Sequence, residues 1–376
     1  MKSRTAVNIA FFCQGFVFAS LVTRIPAIQQ RFDFSEGQLA LLLACVPIVA
    51  GVGSVAAGLL AVKYHSAAVL RVCAVLVAVA LVLVGAAASV GMLVLGLVLV
   101  GLGLGSVDAT MNMQGIGVQA LLRRSVMASF HAWWSLAAIA GALVASVAAA
   151  TSLPLVAFFG LIAALVVPVG LIASRGFVSS HEANEAAADP LAASAAVPWR
   201  PLLVFGAAVV AAFIIDSSVS NWSALDLTDV LGATESVAAL AYAAYAVCML
   251  LGRSVTDRLV VRGGAARIIV VAGVTAAVGL LLVALAPSSM IAIAGFAVVG
   301  LGISPVLPLA FVAASEHDPG NTGIAVARVN VGNYVGFVLG APLVGILGEV
   351  WSLRVGFAVL VVVALGISAT ARAFAR

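Results

Sequence analysis

The chain has 376 residues, of which 64% are hydrophobic and only 9% are charged. About a quarter of the residues in an average soluble domain are charged, so this composition excludes a soluble globular protein and predicts a polytopic membrane protein. The net charge of +4 comes from dispersed Lys and Arg residues without a cluster, which gives no indication of nucleic-acid binding.

Long apolar runs separated by short polar breaks predict transmembrane helices rather than the alternating strands of a barrel. The first run is too long for a cleaved signal peptide. Lys and Arg are concentrated on one side of the runs, so the positive-inside rule predicts that both termini are cytoplasmic. The twelve predicted spans cover residues 5–25, 37–62, 67–88, 91–118, 127–150, 153–174, 200–223, 236–258, 267–286, 290–314, 322–347 and 353–373.

One long polar break follows span 6 and contains three acids and little that could pack. Its composition predicts a flexible linker between two six-helix halves. We therefore expect an N-terminal bundle over residues 1–174, a cytoplasmic linker over 175–199 and a C-terminal bundle over 200–376.

The two halves share short sequence landmarks. The tripeptide GLG occurs at 101–103 and 300–302, and the dipeptide GA occurs at 141–142 and 340–341. Both pairs are offset by 199 residues. A single shared offset favours internal duplication over chance.

Span 4 carries small and polar residues along one side of an otherwise apolar helix. A carboxyl group that faces lipid at bilayer depth costs about 2.5–3.5 kcal/mol, so this stripe is predicted to face a protein interface or a watery cavity. The alternative is a tight packing seam that tolerates one polar pair, because glycines allow close helix approach. At about 100° per residue, the stripe consists of Gly101, Gly105, Asp108, Asn112, Gly115 and Gln119.

Spans 1, 4, 5, 7 and 11 hold most of the intramembrane polar residues and are predicted to surround a central cavity. Amides beside aromatic rings suit a ligand with hydroxyl groups and a flat face. Two alternatives stay open: His131 could be a packing residue, and the span 11 residues could join helices by hydrogen bonds. The candidate substrate-binding residues are Asn8, Asn112, His131, Trp134, Asn330, Asn333 and Tyr334.

Asp108 and Asp216 are the candidate proton-coupling residues. Burial makes the charged form of a carboxyl group unfavourable, so a cavity that alternates between wet and dry would make its protonation depend on conformation. Asp216 shares a helical face with Ser220 and Ser223. Its alternative role is that of a structural, hydrogen-bonded acid.

The segment after span 8 reads GRSVTDR, from Gly252 to Arg258, and resembles the G-R-x-x-x-D-R loop signature of the major facilitator superfamily. The resemblance implies an all-α membrane protein with twelve transmembrane helices in two pseudo-symmetric six-helix bundles. It also implies that the acid of the signature caps a neighbouring helix and latches the two halves, which a carboxylate at a helix N-terminus favours. The alternative is that the charged residues only lie among the lipid head groups. The candidate gating residues are Gly252, Arg253, Asp257 and Arg258.

Four longer motifs resemble the fucose-permease-like branch of bacterial inner-membrane proteins. They are DATMNMQGIGVQ at 108–119, MASFHAWWS at 127–135, NWSALDL at 221–227 and NYVGFVLGAPLVG at 333–345. Sugar permeases of this branch carry a proton-coupling acid in span 4, where Asp108 lies, and another acid in span 1. This chain offers only Asn8 and Gln14 in span 1. The resemblance implies a monomer in the bacterial inner membrane.

These patterns predict a secondary active transporter that moves a small polar solute, sugar-like or otherwise hydroxylated, by alternating access with proton coupling. One alternative is proton-driven efflux of amphipathic compounds or drugs, which a cavity with few charges and several aromatic rings would suit. Another is a receptor or scaffold that does not transport. Enzyme motifs such as a nucleotide-binding loop are absent from the sequence, and no cofactor or metal is predicted. The expected partners are a small-molecule substrate, protons and the lipid bilayer.

Overall fold

The computed structural model describes residues 2–122, 126–178, 197–317 and 324–375. Twelve segments of the described chain are helical, long and apolar enough to cross a membrane, which confirms the predicted spans. The helices are α1 (Lys2–Val22), α2 (Ile25–Phe32), α3 (Glu36–Tyr64), α4 (Ser66–Ala86), α5 (Val90–Leu122), α6 (Met127–Ala150), α7 (Leu155–Ala173), α8 (Trp199–Leu225), α9 (Glu235–Gly263), α10 (Ala265–Ala284), α11 (Ser289–Ile303), α12 (Val306–Ser315), α13 (Ile324–Val350) and α14 (Leu353–Ala369).

The chain divides into two compact units. The first consists of Met1–Phe34 and Leu41–Ala186, and the second of Ser35–Ala40 and Ala187–Arg376. The first turn of α3 therefore groups with the second unit. Most of the predicted linker, residues 179–196, lies outside the described residues.

The two units repeat one helical arrangement, as predicted. Helices α3 and α9 begin 199 residues apart, at Glu36 and Glu235, and end 199 residues apart. In the first unit α1 packs against α6, and α4 against α5 and α7. In the second unit the equivalent helix α8 packs against α13, and α10 against α11 and α14.

Glycine packing follows the same repeat. Gly101 in α5 lies against the backbone carbonyl of Val46, and Gly300 in α11 lies against that of Tyr245. Both the glycines and their partners are 199 residues apart. The same close helix crossing is therefore built once in each unit.

Gly105 brings α5 into close contact with α3, since a methyl group at this position would overlap the backbone of Ala50. A methyl group on Gly160 in α7 would meet no atom within 4 Å. We expect Gly105→Ala to lower the melting temperature of the detergent-solubilised protein or to prevent folding. Gly160→Ala should leave the melting temperature unchanged or raise it, because alanine is favoured over glycine in a helix by about 0.5–1 kcal/mol. Similar melting curves for the two variants would contradict this explanation.

The tenth span is one predicted helix but two observed helices, α11 and α12, which are separated at Ser304 and Pro305. Pro305 has no N–H to donate to the carbonyl of Leu301, four residues earlier. The Ser304 hydroxyl donates a hydrogen bond to that carbonyl instead, at 2.7 Å. This hydrogen bond pairs a backbone oxygen that would otherwise have no partner inside a membrane.

Candidate functional site

Asp216 lies in α8 and faces polar residues of α9 in the second unit. The Tyr245 hydroxyl donates a hydrogen bond to Asp216 Oδ1. Tyr242, one turn earlier in α9, stacks on Tyr245 with ring centroids 5.9 Å apart. Arg253, about two turns after Tyr245, lies within electrostatic range of Asp216 and both tyrosines. We call these four residues the Asp216 network.

The rotation of α8 about its axis is fixed by hydrogen bonds to α13. Ser217 Oγ donates to the carbonyl of Phe337 at 2.9 Å, and Ser218 Oγ donates to that of Gly340 at 3.0 Å. Trp222 Nε1 donates to the carbonyl of Ala341 at 2.9 Å. Because these bonds hold one side of α8 against α13, Asp216 is directed towards α9.

The candidate residues on α13 lie near the start of this helix. Asn330, Asn333 and Tyr334 are half-buried. Phe337 follows one turn after Asn333 and contacts the ring of Phe213 in α8, with ring centroids 5.6 Å apart. Phe337 therefore belongs to the α8–α13 contact, whereas the Asp216 network lies between α8 and α9.

In the first unit, Asp108 and Asn112 interact one turn apart on α5. Asn112 Nδ2 donates to the backbone carbonyl of Asp108 at 2.8 Å and to its Oδ1 at 3.3 Å. Both side chains are half-buried. Asn8 in α1 is also half-buried, and its Oδ1 is buried without a hydrogen-bond partner.

His131 and Trp134 lie on α6 and contact α1. Trp134 Nε1 donates to Gln14 Oε1 at 2.6 Å, and the Trp134 ring lies 5.8 Å from that of Phe18. His131 is exposed and meets the ring of Phe11 edge-on, at a centroid distance of 5.1 Å. The structure thus places the predicted α6 residues beside an aromatic cluster of α1.

The sequence of residues 204–375 matches the family model of the Major Facilitator Superfamily. An uncharacterized MFS-type transporter of Yersinia pestis is 28% identical over 380 residues, which cover 100% of this chain and 97% of the relative. The uncharacterized transporter y4wD of Sinorhizobium fredii is 29% identical over 355 residues, 93% of this chain and 92% of the relative. The C-terminal half of the chain therefore matches this superfamily, and both relatives are similar to the chain over nearly its whole length.

Solved structures of transporters share the fold of this chain. The nucleoside transporter NupG superposes with a TM-score of 0.78 at 12% identity, covering 100% of this chain and 99% of NupG. An inward-facing, unoccupied bacterial homolog of the human lysosomal transporter Spinster gives 0.75 at 14% identity, with 99% and 97% coverage. The predicted fold is confirmed, and the resemblance to the superfamily is supported over residues 204–375. The fucose-permease-like branch remains a prediction.

The candidate gating residues lie in the C-terminal half of α9. Gly252 packs against Ser304 at the break between α11 and α12. Arg253 is part of the Asp216 network, and Arg258 is exposed. The Asp257 side chain lies outside the described residues, so its latch role remains a prediction.

The two tyrosines of the Asp216 network were not predicted from the sequence. Tyr242 and Tyr245 are only 3% and 1% exposed. A tyrosine hydroxyl that is buried in a membrane needs a hydrogen-bond partner. The segment AYAAY at 241–245 places both phenols in an otherwise apolar span. This isolated pair of phenols is the sequence signal from which the network could have been predicted.

Proposed function

We propose that the protein is a proton-coupled secondary transporter of a small polar solute in the bacterial inner membrane. It works by alternating access with both termini in the cytoplasm. The observation that supports the proton coupling is the Asp216 network, where an intramembrane carboxylate is joined to a phenol and lies near a guanidinium group. Ionisable groups inside membrane spans are energetically unfavourable, and they mark pathways for protons or solutes.

The network offers a switch that depends on one proton. An ionised Asp216 attracts Arg253 and accepts a hydrogen bond from Tyr245. A proton on the carboxyl removes its charge and weakens both interactions. The α8–α9 contact then has two arrangements, and the proton selects between them.

Asp108 is the second proposed proton-binding residue. Its neighbour Asn112 donates a hydrogen bond to the carboxylate and keeps the side chain in place on α5. The two proposed proton-binding residues lie in different units, so each unit would carry its own titratable group.

The proposed solute contacts are amides and rings. They lie on α1, α5 and α6 of the first unit and on α13 of the second: Asn8, Asn112, His131, Trp134, Asn330, Asn333 and Tyr334. This chemistry suits hydroxylated compounds with a flat or ring-shaped face. NupG, a structural neighbour, is a nucleoside transporter, so nucleosides join sugars, polyols and small vitamins as test compounds.

The test is a pH recording outside liposomes that contain the purified protein, made while each compound is added. Proton symport should give a compound-dependent alkalinisation of the medium, and the responding compound identifies the substrate class. The signal should be lost in Asp108→Asn and Asp216→Asn. The matched control is Asp33→Asn, because Asp33 is exposed and adopts a left-handed backbone conformation that asparagine also tolerates.

If no compound changes the external pH, with protein that is demonstrably folded, the result would contradict proton-coupled uptake. Dye extrusion from the same liposomes would then test efflux of amphipathic compounds. Binding of a compound without counterflow would instead favour a receptor that does not transport.

A further inference from the structure

Unpartnered oxygen atoms are concentrated at the end of α8. Asp226 is only 1% exposed, and neither of its carboxylate oxygens has a hydrogen-bond partner. Ser223 is fully buried, and its Oγ also lacks a partner. Residues three apart on a helix lie on the same side, so these oxygen atoms belong to one face of the helix end.

A second carboxylate approaches this helix end from α3. Glu36, the first residue of α3, belongs to the same compact unit as Asp226. Its Oε2 is buried without a partner and lies against Gly348 in α13. Glu36 is within electrostatic range of Asp226. Two acids from different helices therefore converge on one corner of the unit.

Arg354, near the start of α14, is a cation within electrostatic range of Asp226. Its Nη2 donates to the carbonyl of Ala286 at 2.9 Å, so one side of its guanidinium group is hydrogen-bonded just after the C-terminal end of α10. We call Glu36, Ser223, Asp226 and Arg354 the α8-end cluster.

The charges of the α8-end cluster do not balance. Two carboxylates and one guanidinium group leave one negative charge. The other acids nearby, Asp229 beside Asp226 and Glu349 beside Glu36, are exposed and only add to the negative potential. Glu349 already accepts a hydrogen bond from the N–H of Gly37 at 2.8 Å. A buried carboxylate without a partner is unfavourable unless a cation neutralises it.

We propose that the α8-end cluster binds one monovalent cation, a sodium ion or a proton, on Asp226, with Glu36 and Ser223 as further oxygen ligands. Carboxylate and hydroxyl oxygens suit a hard cation, and a single positive charge makes the cluster neutral. Asp226 lies ten residues after Asp216, about 15 Å along a helix axis. The site is thus separate from the Asp216 network and does not depend on the proposed proton coupling there.

Thermal unfolding of the full-length protein in detergent tests the proposal without any transported solute. In one series, sodium chloride replaces choline chloride at constant ionic strength and fixed pH. In the other, the pH is varied in the absence of sodium. A ligand that binds only the folded state raises the melting temperature by mass action. We expect the melting temperature of the wild type to rise with sodium or with falling pH, and the series that responds identifies the cation.

Asp226→Asn should abolish the response in that series, whereas the exposed neighbour variant Asp229→Asn should respond like the wild type. If Asp226→Asn does not fold, Glu36→Gln and Ser223→Ala replace it, because each removes one proposed ligand and should weaken the response several-fold. The proposal is overturned if the wild type responds in neither series. It is also overturned if Asp226→Asn, or both replacement variants, respond as the wild type does.

Discussion

Asp216→Asn is expected to abolish accumulation of the substrate against its gradient while leaving energy-independent exchange intact. Asparagine keeps the shape of the side chain and can still accept a hydrogen bond from Tyr245, but it cannot bind and release a proton. A gradient of one pH unit can drive about tenfold accumulation with one proton per solute. The variant should therefore reach a concentration ratio of about one, and counterflow of labelled substrate should persist.

Uptake by liposomes with an imposed pH gradient measures this ratio, with Asp33→Asn as the acid-to-amide control. Tyr245→Phe adds a second comparison, since it retains the acid but removes the phenol that donates to it. Uphill accumulation by Asp216→Asn at the wild-type ratio would show that Asp216 does not carry the coupled proton. If Asp108→Asn alone lost accumulation, coupling would be assigned to the first unit.

Trp222→Ala is expected to destabilise the protein by about 3–5 kcal/mol, the usual range for removal of a buried aromatic side chain. Trp222 is fully buried in α8, and its indole N–H donates to the carbonyl of Ala341. Its ring also fills the space beside Gly345 in α13. The substitution leaves a cavity and removes one hydrogen bond from the contact that orients Asp216.

Unfolding in mixed micelles with increasing sodium dodecyl sulfate measures this free energy. Trp351→Ala is the matched control because Trp351 is 67% exposed and its removal leaves no cavity. Trp222→Phe should lie between the two, since it keeps most of the ring but loses the hydrogen bond. Equal free energies of unfolding for Trp222→Ala and Trp351→Ala would refute this account of the α8–α13 contact.

The fold could be predicted from the sequence because its signals are long or repeated. Twelve apolar runs define the spans, and the glycines at 101 and 300 mark the same helix crossing in each unit. Asp216 was also identifiable, since an acid in an apolar span is conspicuous. Its contact with Tyr245 was not, because the polar face of α8 indicates an interface but not which neighbouring helix meets it.

Two other features escaped the sequence analysis for different reasons. Asp226 was placed beyond the predicted end of span 7, where a carboxylate would be solvated. In the structure a π-helical turn, Asp226–Val230, continues the helix and buries this residue. The helix break at Pro305 was not predicted because the mean hydropathy of a segment shows how apolar it is, but not whether its helix is continuous.

The break at Pro305 also bears on how the chain is made. Helices α11 and α12 have 15 and 10 residues, or about 22 and 15 Å at 1.5 Å per residue. Neither reaches across a hydrocarbon layer of about 30 Å. Helix α5, with 33 residues, can leave the translocation channel for lipid as soon as a membrane-length portion has been synthesised. The tenth crossing, Ser289–Ser315, reaches this length only when residues on both sides of Pro305 have left the ribosome, so the fourth and tenth crossings enter the bilayer by unequal steps.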